Sequence, residues 1–360
     1  MTNDGRASLI FFGERGRAMF FINTDRDNKP VNDATVNQSL DNYLINTLKL
    51  PGHGLIMYIN RPSVIIGVNQ NAYAEVDLKY LREKDIALVR RSSGGGAVYQ
   101  DYGNIIFENI IVGDTTDFGD FSKIAQPILD ALHDFGATGA VLQGRNDLVI
   151  DGKKFSGMTM VKVGDSYAAG GTLMFDLNME DAERVLTPDQ NKLQSKGVKS
   201  VNKRVTNIKP YLDERFQNMT AAEFKDELLK HMFHVDQLSQ IETYNFADED
   251  WRIIDDRLQG QYDTDEWNFG KNPGFKEYKS KHFDIGTVAF NFTVEDHKVT
   301  AFKIYGDFIT GGNINIIEQN LVGTSFDQQS LTAAFDKSNL AANLGKITGA
   351  ELADLMISEQ

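Results

Sequence analysis

The chain of 360 residues contains no cysteine. That absence removes disulfides, thiolate metal sites and every mechanism that needs a cysteine nucleophile. Histidine is scarce, with six in all, and none stands in an arrangement with a glycine-flanked serine that would suggest a Ser-His-Asp hydrolase. His231 and His234 lie three apart on an expected helix, but no third ligand stands nearby in sequence, so they read as surface histidines rather than a metal site. Long apolar runs are missing too. Ser8 to Phe12 and Ala18 to Ile22 are split by Glu14, Arg15 and Arg17, so neither is a signal-peptide core, and nothing later approaches a membrane span. The expectation is a cytoplasmic protein with no membrane partner. There is no excess of basic residues: Lys and Arg number 37 against 51 Asp and Glu, a formal net charge of −14. That balance argues against a nucleic-acid groove. Neither a Gly-x-x-x-x-Gly-Lys-Ser/Thr loop nor a Gly-x-Gly-x-x-Gly fingerprint occurs, and there is no internal repeat or heptad.

What is present is enough chain for two domains. Val36, Leu40, Tyr43, Leu44 and Leu48 recur at helical spacing, and Thr35 with Gln38 predicts a capping box. Strands are predicted at Leu55 to Ile59, Ser63 to Ile66, Ala87 to Arg90, Ile105 to Ile111 and Leu148 to Ile150, with a short helix at Asp77 to Lys84. Phe121, Ile124, Ala125, Ile128, Leu129 and Leu132 form an apolar helical stripe ended by Gly136. Gly164-Asp165 and Gly170-Gly171 are read as breaks between later strands, and Thr220 with Glu223 opens another helix. After about residue 245 the chain turns acidic and aromatic, with Asp248-Glu249-Asp250 before Trp251. It then alternates through Val288, Phe290, Phe292 and Val294, turns at Glu295 to Lys298 and returns along Val299 to Tyr305.

The most informative stretch is Arg90-Arg91-Ser92-Ser93-Gly94-Gly95-Gly96-Ala97-Val98-Tyr99. Glycine permits the backbone angles with which successive N–H groups converge on an anion, and an arginine fork binds phosphate through paired hydrogen bonds. The loop reads as an anion cradle. A tight turn between strands would explain the glycines but not the arginine pair. A second polar segment is Gly144-Arg145-Asn146-Asp147-Leu148-Val149-Ile150-Asp151-Gly152-Lys153-Lys154-Phe155-Ser156-Gly157, in which Asp151-Gly152 signals a hairpin that keeps Lys154 near the turn. Asn146 and Asp147 suit either a nucleotide with its Mg²⁺ or an Asx turn. Ser93 and Ser156 can donate to phosphate or cap backbone. Lys153 is expected to be exposed.

These two segments together resemble the signatures of A-type lipoate-protein ligases, an RRxSGGGAV loop followed by GRND, a turn and a K-hydrophobic-SG strand. The likeness continues through Asn37, Ser63-Val64-Ile65-Ile66-Gly67 with Asn69-Gln70-Asn71, and Lys196-Gly197-Val198-Lys199-Ser200-Val201 with Arg204-Val205-Thr206-Asn207-Ile208, and reaches Trp267-Asn268-Phe269-Gly270. The resemblance implies an α+β fold: a mixed β-sheet catalytic domain of the biotin/lipoyl ligase type packed with helices (residues 1–244), a small α+β accessory domain (245–345) and a C-terminal tail (346–360). It implies ATP and Mg²⁺, lipoate as substrate, an acyl-adenylate intermediate, and as acceptor a lipoyl domain of a 2-oxoacid dehydrogenase complex or the glycine-cleavage H protein. Carried over residue by residue, it assigns nucleotide contacts to Arg91, Gly96, Ala97, Val98, Tyr99, Asn146 and Asp147, the last also to Mg²⁺. Acyl contacts fall to Ser93, Gly94, Gly95, Gln100, Gly171 and Thr172. Lys154 touches both the acyl carboxylate and the α-phosphate and is the catalytic residue. Related transferases that form a thioester on cysteine are excluded by composition.

The pattern breaks at four places. Gln100 stands where the family usually has histidine, Ala169 and Gly170 replace two histidines before Gly-Thr-Leu, and Val68 takes the place of a basic residue. The phosphate loop and Lys154 are untouched, so the expectation is that activation chemistry survives while the acyl pocket or acceptor surface differs. The alternatives are a diverged binder of lipoate or lipoyl-AMP, and a ligase for a related acid such as octanoate. A biotin-protein ligase fits less well, because Gly13-Glu14-Arg15-Gly16-Arg17 lacks the GRGRxG-type loop.

Overall fold

A computed structural model describes residues 11–12, 17–186, 204–270 and 275–358. The motif Lys196 to Val201, the run Ser8 to Ile10 and Gly13 to Gly16 lie outside them. The chain divides into two compact units, one within residues 1–63, 100–180 and 202–263, the other within 64–99, 181–201 and 264–360. The architecture is α+β.

The strands in chain order are β1 (Phe11–Phe12), β2 (Arg17–Asn23), β3 (Gly52–Tyr58), β4 (Ser63–Ile66), β5 (Ala87–Arg90), β6 (Val98–Gln100), β7 (Asn104–Val112), β8 (Val141–Gln143), β9 (Asp147–Ile150), β10 (Lys153–Val163), β11 (Ser166–Met174), β12 (Thr243–Asn245), β13 (Glu277–Phe283), β14 (Gly286–Glu295) and β15 (Lys298–Gly306). The first unit is built on a mixed sheet ordered β1-β2-β3-β7-β11-β10-β9-β8, with β12 added beside β2. The β2–β3 and β2–β12 pairs are parallel. Alternation sends Leu55, Met57, Ile105, Phe107, Leu173 and Met158 to one face, where helices Phe121–Asp134 and Ala221–Met232 cover them. Ile56, Tyr58, Ile106, Ile110 and Ala168 point to the other face, together with Leu40 of helix Ala34–Tyr43 and Trp251 and Ile254 of helix Asp248–Arg257.

In the second unit β13, β14 and β15 form a meander whose inner face, led by Val288, Phe290 and Phe302, packs with residues from helices Ile314–Leu321, Gln328–Lys337 and Gly349–Ile357. The two predicted hairpin turns are present. Asp151-Gly152 has φ of 50° and 71°, and Asp296-His297 has φ of 48° and 59°, the positive pair that a tight two-residue turn requires.

Four expectations are corrected. The helix predicted to open at Thr35 is capped by Asp33, whose carboxylate accepts the Thr35 N–H, while Gln38 donates to Asp41 instead. Gly170-Gly171 does not interrupt a strand: both lie within β11, because a Cβ on Gly170 would come within 2.1 Å of the Phe107 carbonyl of β7. The compositional change at residue 245 does not separate the units, since Trp251 and Ile254 sit in the first unit's core. The expected tail contains helix Gly349–Ile357, with Leu352 and Ala353 fully buried.

The aromatic cluster under helix Ala221–Met232 is the sharpest test of this packing. Phe224 is fully buried, stacks on Phe175 at 4.6 Å between centroids and meets Phe135 and Phe216 edge-on. Phe224→Ala should cost ~3–5 kcal/mol in denaturant unfolding. Val322→Ala, at a half-exposed position, should cost less than about 0.5 kcal/mol.

Candidate active site

Lys154 is held by its backbone before its side chain is considered. Its N–H donates to the Arg204 carbonyl at 2.7 Å, and its carbonyl accepts from Thr206 N at 2.9 Å. The Arg204-Val205-Thr206-Asn207-Ile208 segment is thus the clamp on this strand. Asn207 is fixed in turn by reciprocal bonds to Leu177, and Ile208 N donates to the Met174 carbonyl. Between Lys154, opposite Val149, and Ser156, opposite Leu148, strand β10 carries one extra residue, Phe155, which is fully buried. Such a bulge reverses the alternation. Without it Lys154 would share the face of Ser156 and Met158. With it the ammonium lies over Gly157, where a Cβ would sit 2.5 Å from Nζ, and pairs with Asp147 Oδ1 at 2.7 Å. Lys153 is exposed, as expected.

Asn146 spends its side chain on backbone. Its Nδ2 donates to the Met158 carbonyl at 2.5 Å while its own carbonyl accepts from Met158 N, so it fastens the turn before β9 onto β10. Thr172 lies opposite Gly157 in register and shares its face with Lys154. Gly171 faces the other way, where a Cβ would collide with the Gly157 carbonyl at 2.4 Å. Ser156 is fully buried and its hydroxyl has no described partner; it points to the Leu148 and Leu173 side, away from the ammonium.

The glycine loop belongs to the second unit. Arg91 turns its guanidinium onto the loop itself, donating to the carbonyls of Gly94 (2.8 Å), Gly96 (3.0 Å) and Ile65 (3.2 Å). Ser93 is buried, with its carbonyl accepting from Val68 N, and Gly96, Ala97 and Val98 are half-buried ahead of the buried Tyr99. Gly95 has φ of 101°, a conformation that favours glycine, and Gly94 lacks room for any side chain because the Phe308 carbonyl would lie 2.4 Å from its Cβ. Arg90, which sequence reasoning counted as half of a phosphate-binding pair, is a strut. Its guanidinium donates to the carbonyls of Gly67, Gln70, Trp267 and Asn268, its N–H donates to Asn268 Oδ1, and Trp267 Nε1 donates back to its carbonyl. Burial brings both guanidinium pKa values down to about 10, with charge repulsion from Arg90 contributing to that of Arg91.

Gln100 sits in the first unit and is buried. It accepts from Asn60 Nδ2 at 2.7 Å, and Asn60 accepts from Asn37 Nδ2 at 2.7 Å, a chain of three amides that carries no charge. On the face of the sheet that Lys154 shares lie two acids that the sequence did not single out. Glu108 lies beside Asp41, which accepts from Tyr58 and Gln38. Both acids are half-buried; burial raises Glu108 to about 7 and Asp41 well above the ordinary range. A charged residue within the apolar run Ile105 to Ile111 was the available signal. Asn104 on the same strand is fully buried with neither side-chain polar atom partnered among the described residues. His231 pairs with Asp134, and no metal-ligand cluster occurs among the described residues.

Two tests follow from these contacts. Arg90→Ala removes the strut, so amides of residues 91–97 should exchange with deuterium about tenfold faster or more, while those of β7 keep their protection. Glu108 is protonated more readily folded than unfolded, so its contribution is favourable below about 4.5 and is lost as pH rises to about 7. Glu108→Gln should flatten that decline, measured as unfolding free energy between pH 5 and pH 7.

Comparison with known proteins places this arrangement. Residues 33–233 match the family model of the lipoyl protein ligase A/B catalytic domain, and residues 272–356 match that of the bacterial lipoate protein ligase C-terminus. The chain is 36% identical to the lipoate-protein ligase LplJ of Bacillus subtilis over 94% of its own length and 100% of that protein. Among solved structures it resembles P. falciparum LipL1 in complex with lipoate, with a TM-score of 0.68 and 22% identity over 89% of this chain and 94% of that one. It also resembles lipoate-protein ligase A bound with ATP, with a TM-score of 0.52 and 21% identity over 66% and 94% of the two chains. With a catalytic-domain match over more than half its length and a relative aligned end to end, the chain belongs to the lipoate-protein ligase family.

Proposed function

We propose that the chain joins lipoate to AMP at the expense of ATP and then passes the lipoyl group to a lysine of an acceptor lipoyl domain. The observation that carries this reading is Lys154, an ammonium fixed by a bulged strand over a glycine and beside a single carboxylate. Joining two anions needs a fixed cation between them. In the reading, a carboxylate oxygen of lipoate attacks the α-phosphorus and pyrophosphate leaves. The acceptor amine then attacks the acyl carbonyl and AMP leaves. Lys154 draws carboxylate and α-phosphate together and offsets charge at the phosphorus, exchanging its bond to Asp147 for bonds to substrate.

The remaining roles follow the same reading. Arg91, Gly96, Ala97, Val98 and Tyr99 serve the nucleotide; Ser93, Gly94, Gly95, Gln100, Gly171 and Thr172 serve the acyl side. Arg91 would trade loop carbonyls for phosphate. Asn146 acts by fastening the turn that carries Asp147. Asp147 suits Mg²⁺, which takes one or two carboxylates and fills its shell with phosphate oxygens and water. When bound, that ion neutralises charge on the phosphates. Catalytic and accessory roles go to the stretches that the two family models match, residues 33–233 and 272–356. Acceptors would be lipoyl domains of 2-oxoacid dehydrogenase complexes or the glycine-cleavage H protein, in the cytoplasm; no described helix is long and apolar enough to cross a membrane.

Lipoate-dependent ATP–pyrophosphate exchange tests the proposal. Lys154→Ala should lower exchange by about two decades or more, while Lys153→Ala stays within about threefold of the wild type. Wild-type protein that binds lipoate yet exchanges nothing would identify a binder and overturn the ligase reading.

A further inference from the structure

Where the family pattern has histidine, Gly170 offers only a hydrogen, and the residue directly across from it on β7 is Glu108. Both lie on the sheet face that carries Lys154. The register Gly157–Thr172–Ile106 crosses from β10 to β7, and Thr159–Gly170–Glu108 crosses in parallel two residues along. Gly157, Thr159, Thr172 and Glu108 are each partly exposed, whereas their neighbours Met158, Met160 and Leu173 on the opposite face are buried. Gly170 and Ile106 on the same face are buried, so the result is a strip of low relief, floored by two glycines and partly covered by protein. The ammonium stands at one end and the Glu108–Asp41 pair at the other.

The length of this strip is set by the sheet. Strands lie ~4.8 Å apart and residues ~3.4 Å along, so two strands across and two residues along is about 12 Å. An eight-carbon acid extended from an ammonium covers about the same distance, roughly 9 Å of staggered chain plus 3 Å of hydrogen bond. Resting on the ligase reading, we propose that Glu108, beside Asp41, sets specificity at the far end of the acyl chain. It disfavours a plain alkyl end relative to the sulfur-bearing ring of lipoate.

The chemistry is that of a polar pair at the end of an apolar run. Asp41 Oδ1 is enclosed and has no donor among the described groups, while Tyr58 and Gln38 satisfy Oδ2. A proton on the neighbouring Glu108 carboxyl would satisfy it. An alkyl end pressed against this pair strips water and returns nothing, which is costly. A ring sulfur is polarizable and accepts weakly, so it offsets part of that loss. A histidine cannot be restored at residue 170 without moving β7, because the Phe107 carbonyl occupies the Cβ position. The buried and partnerless amide of Asn104 on the same strand is a further unmet polar group facing this layer.

The test is ATP–pyrophosphate exchange with lipoate and with octanoate, read as the ratio of the two kcat/KM values. Glu108→Leu should shift the ratio toward octanoate by about tenfold or more, and Glu108→Gln, which still hydrogen-bonds, should hold it within about threefold. A leucine variant that exchanges with an unchanged ratio overturns the proposal and leaves the ligase reading standing. Wild-type protein that exchanges with neither acid overturns the ligase reading, and this proposal with it. Should the leucine variant fail to fold, Glu108→Thr removes the carboxyl without added apolar bulk and is read in the same way.

Discussion

One extra residue in β10 fixes the direction of Lys154, and the chemistry on the first unit depends on it. In an unbulged strand Lys154 would share the side of Ser156 and Met158 and press a charge into the main core. That core would not accept it unpaired. Phe155 takes the buried place instead, and the ammonium emerges over Gly157 beside Asp147. The clamp from Arg204 to Thr206 holds the distorted strand, so the geometry is present before any ligand arrives. Preorganisation of this kind is what makes a single cation effective against developing charge.

The second unit solves a related problem with one buried cation, Arg90, and one half-buried cation, Arg91. Arg90 and Arg91 are neighbours, repel each other, and have their guanidinium groups satisfied by main-chain carbonyls. Arg90 is fully committed to Gly67, Gln70, Trp267 and Asn268, so it holds the base of the loop in place. Arg91 is committed to the loop it would have to open and to the Ile65 carbonyl of β4. Carbonyl partners do not neutralise charge, and an anion at the loop would lower the cost of burying the pair. The same glycines serve two ends, since Gly94 must also let the Phe308–Ile309 backbone approach.

The three departures at histidine positions share one physical theme, the loss of groups that can titrate near neutral pH. Gln100 joins Asn60 and Asn37 in a neutral chain. Ala169 is fully buried and Gly170 has no space for a side chain. Glu108, pushed up to about 7 by burial, is the nearby group that regains titration in that range. Polarity has moved one strand across the sheet.

Much of this was legible in the chain. Cysteine-free composition removed whole mechanisms, alternation and helical stripes placed most elements, and Asp151-Gly152 gave the hairpin that carries Lys154, because all of these depend on neighbours a few residues apart. The capping residue Asp33, the bulge at Phe155, the strut role of Arg90 and the pairing of Asp41 with Glu108 were not legible. Each depends on which strand or loop comes alongside: Arg204 beside Lys154, Asn268 beside Arg90, helix Ala34–Tyr43 over β7. The sequence by itself determined which chemical groups are available and how they recur along the chain. Only the tertiary structure decided the direction in which each points, because in a sheet one residue of register turns a side chain from core to solvent.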